Sequence, residues 1–125
     1  MPIKEYHKLV RDRIPDIIAG EGKTVKFKCI KTDNKEFAGF LINKLHEEIE
    51  ELYNAIQQSN DTEMFYNGCY EILQELADVG EVFDALVKCI HIEHDDILRT
   101  MKTKAVEKGT FENGTYLISV EEEEK

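Results

Sequence analysis

Two short stretches place carboxylates where an apolar face is expected. In KLHEEIEELYNA, from Lys44 to Ala55, a helical wheel at about 100° per residue puts Phe37, Leu41, Leu45, Leu52 and Ala55 on one stripe. Glu48 falls inside that stripe and Glu51 at its edge, while Glu47 and Glu50 point further away. In EILQELADVGEVFDAL the stripe is Ile72, Val79, Val82 and Leu86, with Glu75 in its middle and Asp78 at its edge. Each pair is spaced i,i+3, one turn apart on a core-facing stripe. An ionised carboxylate in apolar surroundings costs several kcal/mol unless something compensates it. Either the stripe is open to water at those positions or each carboxylate has a partner.

Two such helices packed antiparallel bring four acidic groups together at mid-length. Four carboxylates so close repel one another unless cations neutralise them. Magnesium or manganese suits an all-oxygen site. The missing histidine in these pairs disfavours the ferritin-like di-iron pattern, which uses Glu-x-x-His. A lone ExxE is usually a solvated face; the repeat on successive helices, both times within the apolar stripe, is what points to metal. His91 and His94 offer a second i,i+3 pair, but no soft ligand stands near them in sequence.

The elements that must position these residues are readable from caps and periodicity. Pro15 suits the first turn of a short helix, and Gly20 or Gly22 its end. TVKFKCIKT, residues 24–32, alternates like a short strand. Asp33 or Asn34 then caps a long helix running to about Gln58. QSND reads as a loop, and Asp61 or Thr62 caps a second long helix reaching about His91. A third starts near Asp95 or Asp96 and stops at Gly109. TFENGTYLISV carries a hairpin signal, with Asn113-Gly114 suited to a type I′ turn. The expected fold class is mainly α: a helical bundle with a small β-hairpin near the C-terminus. No repeat or linker divides the chain, so residues 1–125 are expected to form a single helical domain with a disordered acidic tail at about 121–125.

Composition narrows the partners. The 125 residues and 42% hydrophobic content suit one core-bearing domain. The formal net charge of −10 argues against gripping a nucleic-acid backbone. No apolar run is long enough for a membrane span, and the N-terminal stretch lacks the apolar centre of a signal peptide. Cys29, Cys69 and Cys89 show no CxxC spacing and read as reduced, mostly buried thiols of a cytosolic protein. An acidic protein can still bind a polyphosphate if a divalent cation sits between the two anions.

EEIEE, Glu47 to Glu51, followed by ELAD, Glu75 to Asp78, resembles the EExxE…ExxD motif of the MazG-like, all-α nucleotide pyrophosphohydrolases. That superfamily includes dimeric dUTPases and phosphoribosyl-ATP pyrophosphohydrolase. The opening YHKLVRDRIPDII and the close KAVEKGTFENGTYL are similar to its phosphoribosyl-ATP pyrophosphohydrolase-like subgroup, so the resemblance covers nearly the whole chain. It implies hydrolysis of a nucleoside triphosphate or related nucleotide between the α and β phosphates, giving a monophosphate and pyrophosphate. House-cleaning of non-standard nucleotides is one role it implies.

Residue by residue, the resemblance gives Glu48, Glu51, Glu75 and Asp78 the metal-ligand positions, for Mg2+ or Mn2+. Glu47 or Glu48 would accept a proton from the attacking water. Phosphates not bound by metal need positive side chains. Lys104 and Lys108, i,i+4 on the third helix, are the first candidates, with Lys8, Arg11 and Arg13 behind them. Phe37, Phe40, Phe65 and Tyr116 are expected in the core rather than stacked on a base. The family usually works as a homodimer or dimer of dimers, so the implied partners are the nucleotide and a second copy. The competing class is a non-catalytic helical oligomerisation or interaction module that keeps the fold without the chemistry.

Overall fold

The computed structural model describes residues 2–59 and 70–122. Four helices account for the regular structure there: α1 (Ile14–Gly20), α2 (Lys35–Gln58), α3 (Tyr70–Cys89) and α4 (His94–Lys108). The class is all-α. No described helix is long and apolar enough to cross a membrane. The expected Asp61 or Thr62 cap, Phe65, Cys69 and the last three residues of the acidic tail lie outside the described residues.

The chain divides into two compact units, Met1–Ile92 and Glu93–Lys125. In the first, Pro15 occupies the opening turn of α1, and Gly22 just beyond its end takes a left-handed φ of 82°. The Asn34 side chain accepts a hydrogen bond from the Phe37 N–H at 2.9 Å and so caps α2. α2 and α3 pack on each other around Leu41, Val82 and Cys89, with Leu9, Phe37, Ala38, Leu45, Ala85 and Leu86 against them. The Cys89 thiol, at the end of α3, reaches the Asn34 carbonyl at the start of α2. Leu41 meets Val82 further in, and Glu48 and Glu51 meet Glu75 and Asp78 beyond that. The pairings advance along α2 as they retreat along α3, so the helices are antiparallel. α3 closes with a left-handed His91 at φ 57°, where the Ile92 N–H bonds the Val87 carbonyl and the His91 N–H that of Lys88. These two hydrogen bonds make the Schellman arrangement that satisfies terminal carbonyls.

Residues 24–32 form no strand. Alternation supplies a strand's faces but not the neighbouring backbone that its N–H and C=O groups need, and no described segment pairs with this one; Phe27 is exposed.

In the second unit, α4 starts at His94 behind Glu93 rather than behind Asp95 or Asp96. The Glu93 carbonyl takes the Asp96 and Ile97 N–H groups, and the two aspartates sit in the first turn, where the helix dipole favours them. Gly109 ends the helix at φ 84°. The expected C-terminal hairpin is absent. The Gly114 N–H bonds the Phe111 carbonyl in a single turn, one residue earlier than the expected Asn113-Gly114 register, and no strands flank it. Phe111, Tyr116, Ile118 and Val120 are all exposed. A two-stranded hairpin with nothing to bury its apolar face is marginal in water.

Candidate metal centre

α2 brings Glu48 and Glu51 to the joint between the long helices, and α3 brings Glu75 and Asp78. Each of the four offers a carboxylate oxygen, and these oxygens all lie within 4.8 Å of one another. Among the described residues no other group of histidine, cysteine and acidic side chains converges in this way.

Glu48 is 6% exposed, as buried as the core residues Leu41 and Val87. Its Oε1 lies 3.3 Å from the Lys44 ammonium. Its Oε2 is buried with no hydrogen-bond partner, and so is the Oε2 of Glu75 on the facing helix. An unsatisfied buried acceptor costs the desolvation penalty of the group, more if it is charged. Burial pushes the Glu48 carboxyl above the ordinary glutamate range; Glu51 beside it pushes the same way, and Lys44 pulls it back.

Three cations line this end of the pair. Lys44, largely covered itself, reaches Glu47 at 3.5 Å as well as Glu48. Lys8 reaches Glu47 at 3.2 Å. An Arg11 Nη2–H donates to Asp78 Oδ1 at 2.7 Å, a bond that raises the guanidinium's pKa. Burial acts to raise Glu47, but Lys8 and Lys44 outweigh it and hold that carboxyl below its usual value. Five carboxylates, the quartet and Glu47, thus meet three cations. Glu51 and Glu75 have no cation at salt-bridge distance among the described residues.

Comparisons with protein-family models, curated proteins and solved structures found no match. The case for a metal therefore rests on the site itself.

A hard divalent cation fits this donor set. All four donors are carboxylates, two helices hold them at mid-length, and two buried oxygens lack partners. Calcium, magnesium and manganese favour such oxygen ligands, whereas zinc and copper sites draw on histidine and cysteine.

Lys8 and Arg11, candidates from the sequence, are brought to the acidic site. Arg13 precedes α1 as its N-cap residue. Lys104 and Lys108 are exposed on α4 in the second unit, one turn apart. Among the aromatics, Phe37 packs on the core as expected. Phe40 and Tyr116 do not; both are exposed. Lys44 was not among the candidates, although it stands i−4 from Glu48 and i−3 from Glu47, a spacing that puts opposite charges together on a helix.

Proposed function

We propose that the protein is a metal-dependent nucleotide pyrophosphohydrolase of the MazG-like kind, cleaving a nucleoside triphosphate or related nucleotide to a monophosphate and pyrophosphate. What supports the metal is the pair of partnerless buried oxygens on facing helices, Glu48 Oε2 and Glu75 Oε2, within a quartet of converging carboxylates. What supports the reaction is the order of EEIEE, ELAD and the terminal segments along the chain.

Glu48, Glu51, Glu75 and Asp78 would hold Mg2+ or Mn2+. When bound, such an ion supplies charge neutralisation for phosphate oxygens and a lowered pKa for a coordinated water. The protein's own groups carry the rest. Glu47, kept ionised by Lys8 and Lys44, is in the form that accepts a proton. Glu48 is the other acceptor proposed, more basic through its burial. Lys8 and Arg11 are the cations of this unit proposed for the substrate's phosphates. The working assembly is a homodimer or tetramer. Ile42, Ile49 and Tyr53 make a second apolar stripe on α2, exposed in the single chain, and Leu73 and Leu76 are exposed on α3.

Those same exposed residues favour the second reading, a helical oligomerisation module without chemistry. Pyrophosphate release separates the two. A panel of ordinary and damaged nucleoside triphosphates with magnesium should yield pyrophosphate from at least one member, and excess EDTA should abolish it. Release that persists in EDTA overturns the metal reading; no release from any member leaves the interaction module as the better account.

A further inference from the structure

The Arg11–Asp78 ion pair sets a competition. Asp78 Oδ1 holds a guanidinium at 2.7 Å, yet Asp78 is one of the four residues whose oxygens converge. A divalent cation in the quartet and the Arg11 guanidinium draw on the same small carboxylate, and they repel each other.

Arg11 also has little freedom except in its side chain. Its carbonyl accepts the Ile14 N–H at 3.0 Å in the turn that opens α1. Two residues earlier Leu9 packs on the Leu41–Val82–Cys89 core, and on either side of Leu9 in the chain Lys8 holds Glu47 on α2 and Arg11 holds Asp78 on α3. The segment is thus strapped across both helices with its backbone pinned. The guanidinium is about half exposed and sits at the end of a long flexible side chain. It can swing without the strap leaving.

We propose that Arg11 is a built-in stand-in cation: it neutralises Asp78 until a divalent ion takes the quartet, then swings off on a fixed backbone to meet an anionic phosphate. The proposal rests on the metal reading above. It goes further in fixing an order, metal first and phosphate second, because the phosphate-gripping group is released by the metal. A guanidinium suits that second role, since its planar fork matches phosphate oxygens. Lys8 is not released by the metal in this way, because its partner Glu47 lies outside the quartet.

Calorimetric titration of the full chain with Mg2+ alone, then with inorganic pyrophosphate at saturating Mg2+, tests this. Arg11→Gln should bind Mg2+ roughly threefold more tightly than wild type, the scale of one exposed ion pair removed. It should bind pyrophosphate several-fold more weakly, and Arg11→Lys should recover part of that loss. Lys23→Gln makes the same charge change at an exposed residue of the first unit, paired with Glu21, and should alter neither constant by more than a small fraction of that. The Arg11 Nε–H resonance of the wild type should shift along the Mg2+ isotherm while the Leu9 methyl signals stay in place.

Mg2+ affinity in Arg11→Gln equal to or below wild type overturns the stand-in role, as does a shift in Lys23→Gln that matches it. Unchanged pyrophosphate affinity in Arg11→Gln overturns the second half. A wild type that takes up no Mg2+ by calorimetry refutes the metal reading and the proposal with it, an outcome distinct from wild-type binding without the Arg11 effect.

Discussion

Glu48 carries two opposed relations: one carboxylate oxygen faces Lys44, and the other is buried without a hydrogen-bond partner. Lys44 is shared with Glu47, so removing the Glu48 charge does not leave that ammonium alone. Glu48→Gln in EDTA should therefore unfold within about 1 kcal/mol of wild type, or later than it, while turnover in magnesium falls by at least about a hundredfold. Thermal melts beside pyrophosphate release check both. A loss of roughly 3–5 kcal/mol in EDTA is what a buried ion pair broken at one partner gives, and would make Glu48 structural.

The two glutamates also predict opposite pH effects. Glu48 has a folded pKa above its unfolded value, so its ionisation is harder in the folded chain. Its contribution is a penalty that grows as pH rises from the ordinary glutamate value through the raised one. Glu47 has a folded pKa below its unfolded value, so it stabilises above the ordinary value and loses that as pH falls through the depressed one. Urea unfolding in EDTA should show stability falling on the alkaline side of the glutamate range, and Glu48→Gln should flatten that side alone.

At the scale of elements, α2 depends on its start. Asn34→Ala removes the bond to the Phe37 N–H and should cost about 1 kcal/mol, read as a lower urea midpoint at unchanged slope. The cap, the stop at Gln58 and the Gly109 terminus were legible because each is a local event, settled within a turn of the residue concerned. The acidic stripes were legible for the same reason: a period of 3.6 puts Glu48 and Glu75 on their faces whatever packs there. Residues 24–32 and 110–120 misled because a strand is a relation between two segments, and alternation reports only one of them. The cations at the site divide likewise. Lys44 is one turn from its partners, so its place could have been read. Lys8 and Arg11 lie 39 and 67 residues from theirs, and no spacing rule spans that distance.

For the whole molecule, a ligand that binds only the folded chain adds to its stability. Magnesium at a hundredfold excess over its dissociation constant should add about 2.7 kcal/mol. A melting temperature indifferent to magnesium would mean that the quartet is not a preformed site. Assembly is tested separately, by light scattering at micromolar concentration. A dimer or tetramer is expected from the apolar stripe of Ile42, Ile49 and Tyr53, and a stable monomer would refute it.

The contact between the Cys89 thiol and the Asn34 carbonyl makes the molecule its own clock. Cys29 is exposed, whereas Cys89 is buried where α3 ends against the start of α2. A thiol reagent should reach Cys29 at the rate of a free side chain and Cys89 only in the moments when the helix pair parts. The ratio of the two rates then reads the free energy of that opening under native conditions. The four carboxylates lie further along the same joint, so a divalent ion bridging them should slow labelling at Cys89 and leave Cys29 untouched.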